Sequence, residues 1–109
     1  MPSPIINEVY PNPETGSEWI ELYLNESLPE NFTLENYRLF DSSRQIFLFT
    51  QEQFANHFLV VEVSGLNNDS DQVLLKNAAG EIIDSMAYQS SNKGLSWSRE
   101  KDAQQFVLS

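Results

Sequence analysis

Apolar residues recur at every second position along most of the chain, in short runs separated by Pro, Gly, Asn, Asp and Ser. A period of two is the signature of a strand with one buried face. It is clearest over Glu18–Leu24, where Ile20, Leu22 and Leu24 share one face and Trp19, Glu21 and Tyr23 the other. Ile5–Tyr10 is the natural antiparallel partner, and its adjacent Ile5 and Ile6 break the alternation, which predicts a bulge or burial on both sides. Further strands are predicted over Asn36–Phe40, Gln45–Phe49, Phe58–Val63, Gln72–Lys76, Glu81–Tyr88, Ser96–Arg99 and Gln105–Leu108. Asn77-Ala78-Ala79-Gly80 reads as a hairpin turn, and only Gln51–Asn56 reads as a turn of helix. Strands every ~8–12 residues predict an all-β sandwich or barrel.

At 109 residues the chain suits one domain with one modest core, and 40% hydrophobic content is that of a folded protein. No apolar run approaches the ~20 residues that span a bilayer, so membrane insertion is not expected. The absence of cysteine excludes disulfides, thiol nucleophiles and thiolate metal sites. The net charge of −10 is unevenly spread: residues 1–37 hold seven glutamates and no Lys or Arg, hence −7, and the rest nine acids and six bases, hence −3. Nucleic-acid affinity needs cations facing phosphates, so this balance argues against a nucleic-acid partner and against anionic membranes.

Catalytic chemistry finds little support. His57 is the only histidine, which excludes a multi-histidine metal site, and no serine sits in a nucleophile elbow. Glu18 and Glu21 are three apart on a strand and project to opposite faces, so they cannot act on one substrate as an acid–base pair. Glu14 with Glu21 or Glu8 is the remaining carboxylate pairing. "LNNDSDQV", residues 66–73, places oxygen ligands at Asn67, Asp69 and Asp71, a weak calcium candidate. It lacks the glycine and distal glutamate of an EF-hand loop, and the same residues are those of a tight strand connection. Trp19 and Trp97 suit either a sugar-stacking platform or burial against a sheet. Three glycosylation sequons, at Asn25, Asn31 and Asn68, decide nothing in a chain so rich in Asn and Ser.

Taken together, these segments resemble a known family. "IINEVYPNPETGSEWIELYL" is similar to the opening of the lamin tail domain, with Ile6, Glu8, Val9, Asn12 and Pro13 followed by Glu18, Trp19, Ile20, Glu21 and Leu22. "LENYRLFD" stands where the family has a Gly-Trp element, with Asn36 and Tyr37 in its place. "FLVVEVSGLNNDSDQVLLKNAAGEIIDSMAY" resembles the central segment and retains Leu66, Asn67, Asp71, Val73, Leu75, Gly80, Asp84 and Tyr88. "GLSWSRE" matches the closing element at Gly94, Ser96 and Arg99.

The resemblance covers nearly the whole chain in collinear order. It implies an immunoglobulin-like β-sandwich of about eight or nine mostly antiparallel strands, with no active site and no cofactor. In nuclear lamins such a domain follows a coiled-coil rod and contacts proteins and chromatin; bacterial versions are appendages of secreted or surface proteins. This chain has no heptad segment, and its charge opposes a transferred DNA-binding role. Residues 1–109 are therefore expected to be a single domain excised from a larger multidomain protein, prokaryotic and exported to the cell surface or beyond rather than nuclear. The expected role is interaction with a protein or cell-surface component. A carbohydrate-binding module using exposed aromatics is the alternative.

Overall fold

A computed structural model describes residues 4–28, 32–100 and 106–109. In those residues the chain forms nine strands and no helix: β1 (Ile5–Tyr10), β2 (Glu18–Tyr23), β3 (Arg38–Phe40), β4 (Gln45–Leu48), β5 (Phe58–Val63), β6 (Asp71–Lys76), β7 (Ile82–Tyr88), β8 (Trp97–Arg99) and β9 (Phe106–Leu108). Every pairing is antiparallel. One sheet has the order β5-β2-β1-β8-β9 and the other β4-β3-β6-β7. The two pack face to face as a β-sandwich.

Alternation supplies the core. Ile6, Val9, Ile20, Leu22, Leu59, Val61 and Val63 point inward from the five-stranded sheet and meet Leu39, Val73, Leu75, Met86 and Tyr88 from the other. Phe49, Leu34 and Leu66 close the cluster from the connections. Burial on this scale is the main favourable term in folding. The predicted irregularity in β1 is a bulge at Asn7: Ile6 pairs with Leu22 and Glu8 with Glu21. The extra residue lets both Ile6 and Val9 face the core although they are three apart.

Asn77–Gly80 makes the expected β6–β7 turn, closed by hydrogen bonds from Asn77 N–H to Glu81 O (2.9 Å) and Gly80 N–H to Asn77 O (3.0 Å). The helical turn expected over Gln51–Asn56 does not form. Ala55 and Phe58 exchange both main-chain hydrogen bonds, at 2.7 and 3.0 Å, around Asn56 and His57. Both central residues have positive φ, 52° and 76°. This is the conformation of a primed two-residue hairpin turn, which a right-handed helix cannot accommodate. Gln105, predicted to begin the last strand, lies outside the described residues.

Candidate functional site

The bulge is held by a clamp between the sheets. Asp84 points inward from β7, opposite Leu75, and its Oδ2 accepts the Ile6 N–H at 2.8 Å. The same oxygen accepts Arg99 Nη2 at 2.6 Å, while Arg99 Nε donates to the Ile6 carbonyl at 2.9 Å. The Arg99 guanidinium also lies 4.8 Å from the Phe106 ring centroid. The side chains are only 8% and 16% exposed for Arg99 and Asp84, so the pair is buried and works by mutual satisfaction. Sequence reading singles out both residues without indicating that they meet.

A second set of carboxylates organises one end of the sandwich. Asp71 is buried; its Oδ1 accepts the N–H groups of Ser42 (3.0 Å) and Gln72 (2.8 Å), and its Oδ2 that of Asn67 (3.0 Å). Burial pushes the Asp71 carboxyl upward, but these backbone donors prevail and hold it below the ordinary aspartate value. Asp41 accepts Ser43 and Arg44 N–H, both at 2.7 Å, and shapes the β3–β4 turn. Glu18 Oε1 accepts the Leu66 N–H at 3.0 Å, and Tyr88 donates its hydroxyl to the Asn67 carbonyl at 2.6 Å. Burial first, then the charge of Asp71, raises the Glu18 carboxyl. Burial and the Asp71, Glu18 and Asp41 carboxylates raise Tyr88. For the calcium candidate, Asp71 is turned inward to the connection's own backbone while Asn67 and Asp69 are exposed. Among the described residues no group of three or more His, Cys, Asp or Glu could hold a metal ion.

The loop after β1 docks on the β7–β8 connection. The Asn12 carbonyl accepts the Gly94 N–H at 2.8 Å. Gly94 has φ 80°, a left-handed conformation that favours glycine, and it lies beneath the exposed Glu14 side chain. His57 is committed to its turn: its carbonyl accepts the Leu24 N–H at 2.9 Å, and its Nδ1 lies 2.8 Å from the Leu24 carbonyl. A carbonyl only accepts, so Nδ1 carries the proton. A recess of about 220 Å³ beside this turn, lined by Glu26, Ser27, Leu28, Phe54, Asn56 and His57, is smaller than the ~300–1,000 Å³ of typical ligand sites.

The outer face of the five-stranded sheet is a candidate surface for an outside molecule. Register places three rows across it: Phe58, Tyr23 and Ile5; Val60, Glu21, Glu8 and Ser98; Glu62, Trp19 and Tyr10. Trp19 is half-buried and stacks on Tyr10 at 5.3 Å between centroids, with the rings tilted by 32°. Tyr23 packs on Phe58 at 5.1 Å. Glu21 accepts Asn7 Nδ2 at 2.8 Å, and Glu8 accepts the Ser96 hydroxyl. No Lys or Arg stands among the described outward positions of this sheet. Ile20 and Leu22 lie beneath it, fully buried. Trp97 belongs elsewhere: it pairs with Val9, packs against the core and donates its indole N–H to Ser90 O at 2.9 Å. Sequence reading finds Trp19, Glu8 and Glu21, and misses Tyr10, Phe58 and Val60 as their neighbours.

Among the described residues no helix is long and apolar enough to cross a membrane. Searches of family models, of characterised proteins and of solved structures found no match to this chain.

Proposed function

We propose that the chain is a lamin-tail-like, immunoglobulin-like domain acting as a non-catalytic protein-interaction or surface-attachment module of a larger, exported prokaryotic protein. The observation that carries this reading is the outer face of the five-stranded sheet. It combines aromatic and apolar side chains with Glu8, Glu21 and Glu62 and has no described cation, whereas the buried carboxylates are occupied by the fold. Aromatic anchors within a polar surround are what protein interfaces use. The family assignment rests on the collinear motif residues, above all Glu18-Trp19-Ile20-Glu21-Leu22, Asp84 and Arg99. Capture from an extract of the source cells should differ between the wild-type domain and a folded Trp19→Ala/Val60→Ser variant. Identical captured proteins would overturn the assignment of the contact to this face.

A carbohydrate-binding role is the second reading, favoured by the Tyr10–Trp19 pair. On that reading Trp19→Ala abolishes binding on a glycan array and leaves protein capture unchanged.

A further inference from the structure

The four sheet edges of this sandwich are not equally protected. Exposed edges invite pairing, and folds blunt them with short strands, bulges, Pro, Lys or inward charges. β9 has three residues, and β4 has four with a register shift in its pairing at Leu39/Phe40. β7 has a register shift against β6 and carries the inward Asp84. β5 has no bulge, and its only protection is the charge of Glu62 and the Ala55 bridge at its first residue. Its six residues pair with β2 in unbroken register from Glu18↔Val63 to Tyr23↔Phe58, and it contains no Pro, Lys or Arg.

The main-chain orientation of β5 follows from its turn. Phe58 donates its N–H to the Ala55 carbonyl and accepts the Ala55 N–H at its own, both away from β2, while the His57 carbonyl faces β2 and accepts Leu24 N–H. Antiparallel alternation therefore directs the N–H and C=O of Val60 and Glu62 outward as well. No described residue bonds them there. Their side chains stand on the outer face, Val60 at 52% exposure beside Phe58 at 39%. Ala55 bridges Phe58 alone, and among the described residues no strand lies beside Val60 and Glu62.

We propose that β5 accepts a strand from a partner protein at Val60–Glu62, and that this strand is a basic, extended segment. Strand addition supplies main-chain hydrogen bonds for affinity and side-chain alternation for specificity. Charge selects the occupant. Glu62, Glu21 and Glu8 lie on this face, and none of its described strand positions is Lys or Arg. The nearest described cation of the loops is Arg44, against Gly65 beyond the strand's end, and the chain carries −10 overall. A second copy would bring glutamates against glutamates; alternating lysines would lay their stems over Val60 and their ammonium groups beside Glu62. The inference rests on the protein-interaction reading and narrows it to one edge.

The test is a titration of the isotope-labelled domain with a short soluble peptide of alternating lysine and valine, followed by amide resonances and hydrogen exchange. The Val60 and Glu62 amides should shift and become protected. Val60→Pro, which removes an outward N–H that the β2 ladder does not use, should weaken binding by at least about tenfold. Glu62→Lys should weaken it several-fold, and a glutamate–valine peptide should not bind. If Val60→Pro does not fold, Val60→Lys blocks the same edge without altering the main chain. Unchanged affinity in the folded edge variants, or no binding at all, overturns the proposal. Shifts confined to Tyr10 and Trp19 overturn the edge while leaving the interaction reading standing. Self-association through β5 in sedimentation overturns it in favour of a second copy.

Discussion

The carboxylates inside the sandwich and those on its outer face are the same chemical groups put to opposite uses. Asp71 and Asp84 are buried or nearly so, and each binds main-chain N–H groups distant in sequence. Glu8 and Glu21 stand directly opposite each other on the outer face, where like charges repel, and accept side-chain rather than main-chain donors, Ser96 for Glu8 and Asn7 for Glu21. The interior acids gain from hydrogen bonds that low local dielectric strengthens. The outer acids are half-buried, beside solvent that screens their charge. A net charge of −10 thus conceals two populations, one held by the fold's own main chain and one on the sheet's outer face.

The largest effect is expected at the Asp84–Arg99 clamp. Asp84→Ala should cost about 3–5 kcal/mol in urea unfolding, because it removes the carboxylate that neutralises a nearly buried guanidinium and accepts the Ile6 N–H. Asp84→Asn should recover part of this by still accepting the Ile6 N–H. A loss below about 1 kcal/mol for the alanine variant would place Arg99 with the outer, dispensable charges. Asp71→Ala comes next, at about 2–3 kcal/mol, because it removes the acceptor of three backbone N–H groups at one loop end. Calorimetry should show this loss at neutral pH.

Acid titration sharpens the contrast within the interior set. Asp71 lies below its ordinary value of 3.8, so its contribution is fully present above that value and is lost as pH falls through the lowered folded one. Glu18 lies above its ordinary value of 4.5, so its charge opposes folding at neutral pH, and that cost is relieved as pH falls through the raised value. Stability should therefore rise slightly on mild acidification and fall on stronger acidification. Glu18→Gln should abolish the rise and leave the fall; an unaltered profile would contradict the assignment. The smallest effect belongs to the outer face. Glu21→Gln should change stability by less than about 1 kcal/mol, towards greater stability, since it removes one of two facing like charges.

Much of the fold is legible along the chain. Phe58–Val63 appears with the boundaries predicted, and the inward set Ile20, Leu22 and Leu24 is buried as the alternation requires. The Asn77–Gly80 hairpin is likewise local and likewise found. The candidate face is legible only in part. Trp19 and Glu21 are visible as outward residues of one strand, but Val60 becomes their neighbour only through the β2–β5 register.

The all-β class, the strand faces and the tight hairpin are written locally, because a two-residue period and turn chemistry act over a few residues. Tertiary structure decided the rest. Ile6 meets Asp84 across 78 positions and Arg99 across 93, and no local pattern encodes a contact closed over such loops. It turned Asp71 inward, away from the exposed Asn67 and Asp69 of the calcium candidate, by setting Ser42 above it. It also replaced the expected helical turn near Asn56 with a left-handed pair, because Leu24 at the end of β2 holds both the His57 carbonyl and its ring. Local preference is weak enough for two such hydrogen bonds to override it. The same turn leaves β5 at the sheet's edge with Val60 and Glu62 facing outward.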